Sequence, residues 1–361
     1  MSDRSTSPIE PLLSVRHLTT DFVSAESAPA RAVEDVSFDV YPGQTLGLVG
    51  ESGCGKTTTM LSIMRLLPAA GRITSGEVLF DDIDLLRITD RQMRQYRWKE
   101  MAMVFQGAMN ALNPVRTIGD QIAEAILLHE PIGHEAADRR VIDLLEMVGI
   151  AQSRKEQYPH QYSGGMRQRA MIAMALACRP RLLFADEPTT ALDVMIQAQI
   201  LELLEKIQRE LGLAIVLVTH DLGVVAELCE TVVVMYGGQV AEYGSIDVVY
   251  NAPQHPYTQR LLQAFPDLNR PTDQLMSIPG YPPRLNELPP GCRFEPRCHK
   301  KIERCALVAP KLIDVTSISE PAASSWSLAV GKPVSASHQP LAASSHYAAC
   351  HLLSGPEVTD A

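Results

Sequence analysis

The sequence predicts an α/β fold with a mostly parallel sheet, and three observations support this prediction. Apolar strand patterns alternate with helical patterns along most of the first 250 residues, as in chains whose helices connect parallel strands. The segment GESGCGKT, residues 50–57, joins a strand pattern to a helical pattern. The segment RLLFADE, residues 181–187, ends an apolar strand with two carboxylates. Ligands of open α/β sheets bind at the carboxyl ends of strands, so both segments are candidates for a ligand site.

The first hundred residues also predict a second, smaller β layer. Residues 12–18 and 32–40 have strand patterns separated by an Ala/Ser/Pro-rich loop, and a further strand pattern covers 77–80. We expect the first two of these strands to form an antiparallel layer beside the segment 50–57. An Arg-rich helical stretch at 89–99 is typical of a solvated helix face. A buried strand at 101–105 is predicted to end at Gln106.

The middle of the chain predicts an all-helical insert at about 107–165. Two amphipathic helices, at 118–129 and 135–148, account for most of it, and Gly149 ends the second. Four strands and one long helix follow: strands at 182–185, 214–218, 231–235 and 239–243, and a helix at 194–211. The last two strands flank Gly237 and Gly238, which predicts a hairpin.

Composition limits the possible functions. The chain has 361 residues, 46% of them apolar, a net charge of -10 and a pI near 5.5. A negative chain is a poor nonspecific binder of nucleic acid, which requires an excess of Lys and Arg. The polar N-terminus lacks the apolar core of a signal peptide, and no apolar run approaches the roughly 20 residues that span a bilayer. We therefore expect a soluble, cytoplasmic protein whose membrane association would come through a partner.

The segment 50–57 has the chemistry of a phosphate-binding loop. Gly50, Gly53 and Gly55 permit positive φ and leave backbone N–H groups bare, so that several can point at one anion. The N-terminus of the following helix adds its partial positive charge. Lys56 can reach the β- and γ-phosphates of a nucleoside triphosphate, and the Thr57 hydroxyl can coordinate Mg²⁺. The expected nucleotide contacts in and next to this loop are Gly50, Ser52, Gly53, Cys54, Gly55, Lys56, Thr57 and Thr58.

The carboxylates of RLLFADE would complete an ATP-hydrolysing site. Asp186 would hold Mg²⁺ through water, and Glu187 would orient and polarise the attacking water. The alternative is a helix-capping pair before Pro188. His220 follows the buried strand AIVLVT and would reach the γ-phosphate or the catalytic carboxylate, whereas the alternative is a histidine that caps a turn with Asp221.

A second anion-binding helix end lies at YSGGMRQR, residues 162–169. Ser163 is placed to cap the helix, and Gly164 and Gly165 leave its first turn bare. One domain cannot wrap both helix ends around a single ATP if the helical insert separates them. The sequence therefore predicts a head-to-tail dimer in which the second site closes over ATP bound to the partner.

Taken in order, these segments resemble the ATPase subunits of ABC transporters. The resemblance rests on GESGCGKT, Gln106, YSGGMRQR, LLFADE, Ala191-Leu192-Asp193 and His220, which match the Walker A, Q-loop, signature, Walker B, D-loop and H-loop motifs. It implies a P-loop NTPase (ABC ATPase) core with an antiparallel β subdomain and an all-helical subdomain. It also places Gln106 with Thr57 and Asp186 around Mg²⁺, as a sensor of the γ-phosphate.

Two further positions depend on this resemblance. The signature departs from LSGGQ at Tyr162 and Met166 but keeps Ser163 and Gly165, the expected γ-phosphate contacts. Phe22 matches the aromatic residue that stacks on adenine in this family, and the alternative is a core phenylalanine.

The composition changes near residue 251, where Pro-rich sequence begins, so we expect a domain boundary there. The predicted organisation is a disordered N-terminus at 1–11, the ATPase domain at 12–250 and a small C-terminal domain at 251–361. A Ser/Ala-rich stretch at about 322–345 predicts a flexible loop. Four of the seven cysteines, Cys292, Cys298, Cys305 and Cys350, lie in the C-terminal part.

The C-terminal segments HPYTQRLL (255–262) and LPPGCRFEPRC (288–298) resemble the tail of oligopeptide and dipeptide importer ATPases. Nickel importers are close relatives and remain an alternative. The resemblance implies a second, similar ATPase as heterodimer partner, two membrane permeases, an external solute-binding protein and a location at the cytoplasmic face of the membrane. A permease helix would dock around 107–126, which contains Asn113 and Pro114. No nucleic acid is expected as a partner.

For the four cysteines, three interpretations stay open. They are scattered thiols, a structural zinc site, or ligands of a [4Fe-4S] cluster. Their spacing lacks the paired C-x2-C knuckles typical of zinc, and the resemblance favours the cluster.

The rival for the whole chain is a soluble ABC ATPase of DNA repair or translation. DNA-repair members usually contain a long coiled coil or a zinc insertion, and translation members carry two cassettes. The sequence has neither feature.

Overall fold

The computed structural model describes residues 10–23, 29–107, 111–190, 192–264, 277–317 and 345–353. The predicted Ser/Ala-rich loop and disordered N-terminus lie outside these residues, apart from 345 and 10–11. The described strands are β1 Leu13–Phe22, β2 Ala30–Val40, β3 Thr45–Val49, β4 Gly71–Phe80, β5 Ile83–Asp84, β6 Met101–Val104, β7 Leu182–Asp186, β8 Ala214–Thr219, β9 Thr231–Tyr236, β10 Gln239–Ser245, β11 Ile313–Asp314 and β12 Tyr347–Ala348.

The described helices are α1 Lys56–Ile63, α2 Asp90–Tyr96, α3 Ile118–His129, α4 His134–Met147, α5 Gly164–Ala175, α6 Val194–Leu211, α7 Leu222–Leu228, α8 Ile246–Asn251, α9 Pro256–Gln263 and α10 Glu303–Leu307. Short 3-10 turns occupy Gln152–Arg154, Pro159–Gln161 and Glu295–Arg297. The chain forms two compact units, one drawn from 1–41, 46–84 and 220–361, the other from 42–45 and 85–219. The C-terminal region thus belongs to the unit that contains the phosphate loop, and the predicted division at 251 stays a prediction.

The first unit contains the predicted antiparallel layer, in the strand order β2-β1-β4-β5. β1 pairs with both β2 and β4, so that Leu13 lies opposite Val40 on one side and Phe80 on the other. β4 begins six residues before the predicted strand at 77–80. The first half of β4 is largely exposed and is followed by Gly76 at φ 111. This half therefore has no apolar pattern that would identify it as a strand.

The sheet of the first unit has the strand order β11-β12-β10-β9-β3. β3 runs parallel to β9, while β9, β10, β12 and β11 are antiparallel. All five residues of β3 are buried. A Cβ at Gly47 would lie 2.5 Å from Val225, so the glycine lets α7 pack directly on the strand that leads into the phosphate loop.

The second unit contains a parallel sheet in the order β8-β7-β6, and β7 is buried throughout. The helices of the predicted insert, α3 and α4, lie within a residue of their expected bounds, and Thr117 caps α3 by accepting from the N–H of Asp120. The long helix α6 ends at Gly212, whose φ of 62 is the left-handed conformation that favours glycine. Parallel strands with helical connections thus place the ends of β6 and β7 side by side.

Candidate nucleotide site and cysteine cavity

The phosphate loop has a backbone that only glycine can adopt at two positions. Gly50 has φ 147 and Gly55 has φ 105. A Cβ at Gly50 would lie 2.2 Å from the carbonyl oxygen of Met235, and one at Gly55 would lie 2.5 Å from that of Ala32. The loop is therefore pressed against backbone on its inner side, while Ser52 and other loop residues are exposed on the outer side.

Lys56 points into this loop. Its ammonium group donates to the carbonyl oxygens of Gly50 at 2.6 Å and Glu51 at 3.1 Å, and only 5% of the residue is exposed. Helix α1 begins at Lys56 with Gly55 as its N-cap, so no side chain caps it, and its first turn carries no acidic residue. Thr57, in that first turn, is exposed. A positive side chain, bare glycines and an uncapped helix start together suit a phosphate group.

Glu187 and Gln106, two predicted site residues, are brought together in the second unit. The Gln106 side-chain amide donates to Oε2 of Glu187 at 2.7 Å, and the Thr190 hydroxyl donates to the same oxygen at 2.9 Å. Glu187 directly follows β7 and has φ 44, and its N–H donates to the carbonyl of Val218 at 2.9 Å. The backbone conformation and these bonds fix where the carboxylate lies. Asp186, the preceding residue, is buried.

The segment 162–169 begins helix α5 as predicted. Ser163 is exposed and caps the helix by accepting from the N–H of Met166 at 3.3 Å. Gly165 is required because a Cβ there would lie 2.7 Å from Ile196. Tyr162, which departs from the family motif, is buried, and its hydroxyl donates to the carbonyl of Arg154 at 2.9 Å. Burial raises the pKa of Tyr162 to about 12, so the hydroxyl stays a donor.

Three other predicted residues lie at element ends. His220 is exposed and directly follows β8; the neighbouring Asp221 caps α7 by accepting from the N–H of Gly223 at 2.8 Å. Phe22 ends β1 and is half-buried. In the segment 191–193, Asp193 caps α6 by accepting from the N–H of Ile196 at 3.0 Å, while Ala191 lies outside the described residues.

The four C-terminal cysteines line one cavity, together with His255 and Phe294. The cavity comprises about 290 Å³ of space outside the protein atoms, part of it open to solvent. The Cys292 N–H donates to the carbonyl of Cys305 at 2.8 Å, which ties two of the thiol-bearing segments together. In the described parts of the chain, no three His, Cys, Asp or Glu side chains converge closely enough to hold one metal ion.

Three thiols of this cavity have pKa values above that of a free cysteine, so they hold their protons more tightly. Burial raises the pKa of Cys292 to about 11 and also raises the pKa of Cys298 and Cys350, and the neighbouring thiols add to each shift. Lys300, which also lines the cavity, acts in the opposite direction on Cys298 and Cys350. Thiolates are the form that binds metal, so metal binding here would require these thiols to lose their protons.

Sequence reasoning missed the residues that join the C-terminal region to the phosphate loop. Arg297 pairs with the Glu51 carboxylate at 2.6 Å, and the Tyr257 hydroxyl accepts from the Glu51 N–H at 3.0 Å. The sequence contains one signal for such a contact, which is the acidic residue Glu51 inside the phosphate loop. A partly buried carboxylate requires a cation or hydrogen-bond donors nearby. Nothing in the sequence identified Arg297 as that cation.

None of the described helices is long and apolar enough to cross a membrane.

Family models match two parts of the chain. The ABC transporter model matches residues 33–190, and the model for the C-terminal region of oligopeptide/dipeptide transporters matches residues 241–305. The second match includes the three residues HPY at 255–257 and three of the four C-terminal cysteines, Cys292, Cys298 and Cys305.

Curated relatives are similar along most of their length. The chain is 49% identical over 305 residues to the dipeptide transport ATP-binding protein DppD of Bacillus subtilis, covering 84% of this chain and 91% of that protein. It is 48% identical over 303 residues to DppD of Escherichia coli, covering 83% of this chain and 92% of that protein. It is 44% identical over 306 residues to the oligopeptide transport ATP-binding protein OppD of Haemophilus influenzae, covering 84% and 94%.

Solved structures are similar over a smaller part of the chain. The dimeric ATP-binding cassette MJ0796, in a post-hydrolysis state with ADP and Pi, matches with a TM-score of 0.59 and 28% identity, covering 65% of this chain and 98% of that one. CbiO1 of Clostridium perfringens, part of an ABC transporter complex, matches with a TM-score of 0.58 and 26% identity, covering 67% and 92%.

Proposed function

The chain belongs to the family of dipeptide and oligopeptide transport ATP-binding proteins, and we propose on that premise that it hydrolyses ATP to power an ABC importer of di- or oligopeptides. One observation favours peptide import over the other functions of ABC ATPases. The similarity continues past the ATPase region into residues 241–305, where the matching model describes the C-terminal region of oligopeptide/dipeptide transporters. The relatives above are all named for transport, which leaves the DNA-repair or translation class unsupported.

The phosphate loop would bind the triphosphate. Its glycines at positive φ allow backbone N–H groups to point at one anion, and Lys56 would exchange its carbonyl partners for β- and γ-phosphate oxygens, a stronger charge-assisted interaction. Mg²⁺ prefers oxygen ligands, which Thr57, Asp186 and Gln106 can offer. The bound ion would neutralise charge on the phosphates.

Glu187 would act on the attacking water. Its carboxylate accepts two hydrogen bonds through one oxygen, from Gln106 and Thr190, and such bonds hold a general base in one orientation. The bond from Gln106 suggests how this residue would sense the nucleotide. If the Gln106 side chain moved to contact a phosphate, it would have to give up its hydrogen bond to Glu187. His220, which is exposed at the end of β8, would contact the γ-phosphate.

A second ATPase would complete each site. Ser163 and the glycines after it form an exposed, bare helix start of the kind that binds anions, and we assign them to the ATP of a partner ATPase. The similarity to a cassette whose structure is dimeric supports this assignment. Phe22 is assigned to the adenine. The partners would be a homologous ATPase, two permeases and a solute-binding protein, at the cytoplasmic face of the membrane.

The cysteine cavity would hold a [4Fe-4S] cluster. The four thiols line one cavity but do not converge on a point close enough for a single ion. Four cysteines are the usual ligand set of a [4Fe-4S] cluster, and their spacing along the chain lacks the paired C-x2-C knuckles typical of a structural zinc site. The ligands would be Cys292, Cys298, Cys305 and Cys350, and the cluster would supply structural support, because ATP hydrolysis requires no electron transfer.

Transport by the reconstituted complex tests the proposed function. The full chain, its cognate ATPase, permeases and binding protein would be placed in liposomes with ATP, and uptake of a labelled dipeptide would be compared with uptake of labelled Ni²⁺. We expect ATP-dependent peptide uptake that is lost when the chain carries Glu187→Gln. ATP-dependent nickel uptake without peptide uptake would assign the chain to the nickel branch instead.

A further inference from the structure

Glu51, the second residue of the phosphate loop, is held from two sides by the C-terminal region. Its N–H donates to the hydroxyl oxygen of Tyr257 at 3.0 Å. Its two carboxylate oxygens lie 2.6 and 3.0 Å from the two terminal nitrogens of Arg297. Its own carbonyl accepts from Lys56 at 3.1 Å. One loop residue thus connects the lysine assigned to phosphate with two residues that follow it by 206 and 246 positions.

Arg297 is fixed by several partners besides Glu51. Its Nε donates to the carbonyl of Pro279 at 2.9 Å, and a terminal nitrogen donates to the Tyr236 hydroxyl at 3.2 Å. The guanidinium carbon lies 5.8 Å from the centre of the Tyr236 ring. Only 9% of the residue is exposed. A planar guanidinium that is held in this way presents its fork to the carboxylate in one geometry.

Tyr257 is fixed by packing. It is fully buried, and its ring centre lies 4.6 Å from that of Tyr236 and 5.4 Å from that of Phe294. Burial raises the pKa of Tyr257, so its hydroxyl stays protonated. The oxygen that receives the Glu51 N–H is therefore part of a rigid aromatic cluster, which comprises Tyr236, Tyr257 and Phe294.

The charge of Glu51 needs a partner for a functional reason. A carboxylate in a loop that binds a triphosphate repels the ligand, and at partly buried sites this repulsion is weakly screened. Arg297 neutralises the carboxylate and donates to both of its oxygens. We propose that the C-terminal region sets the shape and charge of the phosphate loop, with Arg297 and Tyr257 as positioning residues for nucleotide binding.

The proposal rests on ATP binding by this loop, and the C-terminal region would thereby contribute directly to nucleotide affinity. It does not depend on what fills the cysteine cavity, although Cys298 directly follows Arg297. It also explains why an acidic residue is tolerated at position 51.

Equilibrium binding of a fluorescent ATP analogue to the purified full chain tests the proposal. Arg297→Gln should weaken binding about tenfold, equivalent to about 1.4 kcal/mol, because Glu51 then faces the phosphates uncompensated. Arg284→Gln is the matched control, since Arg284 lies in the same region, is 79% exposed and has only a 3.9 Å pair with Glu287. The control should bind as the wild type does.

A double variant separates positioning from general structural damage. Glu51→Gln combined with Arg297→Gln removes the unpaired charge, so its affinity should return to within about threefold of the wild type. Tyr257→Phe, which removes one acceptor oxygen and keeps the ring, should weaken binding about threefold. Circular dichroism would verify that each variant is folded.

Two results would overturn the proposal. One is wild-type affinity in Arg297→Gln, and the other is a double variant as weak as the single variant. If Arg297→Gln does not fold, unchanged affinity in Tyr257→Phe decides against it. Failure of the underlying ATP site has a different signature, because then the wild-type chain itself would not bind the analogue.

Discussion

Replacing Glu187 by glutamine separates the charge of this residue from its hydrogen bonds. Both observed bonds, from Gln106 and Thr190, are accepted by one oxygen, Oε2. A glutamine can place its amide oxygen at that position and accept both bonds, with its amino group where Oε1 was. The substitution therefore preserves the local structure and removes the negative charge that polarises water.

The expected loss follows from the role of a general base. Such a group contributes about 10²- to 10⁴-fold to a rate, which corresponds to about 3 to 5 kcal/mol in the activation barrier. Nucleotide affinity should not fall, because the variant removes one negative charge from the neighbourhood of a triphosphate. ATP should accordingly accumulate in a closed dimer that does not turn over.

Single-turnover hydrolysis of radiolabelled ATP, measured beside equilibrium binding, distinguishes the two effects. Thr190→Ala is the matched control, since it removes one of the two donors to Oε2 and leaves the charge. We expect the control to lose far less activity than Glu187→Gln. Hydrolysis by Glu187→Gln within about tenfold of the wild type would refute the assignment of Glu187 to the attacking water.

Three further variants test other parts of the structure. Lys56→Ala should weaken ATP binding about tenfold or more, as measured by equilibrium titration, because the phosphates lose a charged partner; wild-type affinity would remove Lys56 from the site. Anaerobically purified wild-type chain should be brown, absorb near about 400 nm and contain about four irons, and Cys298→Ser should lose the colour yet still bind ATP; colourless wild type with stoichiometric zinc would exclude the cluster. Glu242→Gln should lower the free energy of unfolding in urea by about 1.5 to 3 kcal/mol, since this fully buried carboxylate accepts from the His255 N–H at 3.0 Å and is hydrogen-bonded to His346 at 2.7 Å. The exposed Glu287→Gln should cost less than about 1 kcal/mol, and equal losses for the two would contradict the reasoning.

The sequence predicted the helices whose burial is periodic and the short strands that are apolar throughout or nearly so. Both helices of the insert, the long helix α6 and the buried strands β6, β7 and β8 lie at or near their expected bounds. The contact between Gln106 and Glu187 also follows from the sequence in principle, because adjacent parallel strands end at the same edge. The positions of Gln106 and Glu187 just after two parallel strands are sufficient to predict that they lie close together.

Other features depend on contacts that have no local signal. The two-residue strands β11 and β12 extend the sheet beyond β10, although neither is long enough to show alternation. The pair of Arg297 with Glu51 spans 246 positions. Such a partner is selected by tertiary packing around the aromatic cluster, and one sequence contains no pattern that specifies it. The prediction of a separate C-terminal domain rests on the change to Pro-rich sequence near residue 251, and that local signal says nothing about this pair.

The location of the aromatic cluster changes how the C-terminal region should be understood. Tyr236 ends β9, a strand of the sheet that also contains β3, and the next residues reach the phosphate loop, where the Gly238 N–H donates to the carbonyl of Cys54 at 2.9 Å. Phe294, from the cysteine-rich segment, packs on Tyr236 with ring centres 5.1 Å apart. Phe294 lines the cysteine cavity, and Tyr257 of the same aromatic cluster accepts from the Glu51 N–H of the phosphate loop. A group bound in the cavity would contact Phe294 beside the turn that contains Arg297, so we expect it to support the loop mechanically without taking part in the chemistry.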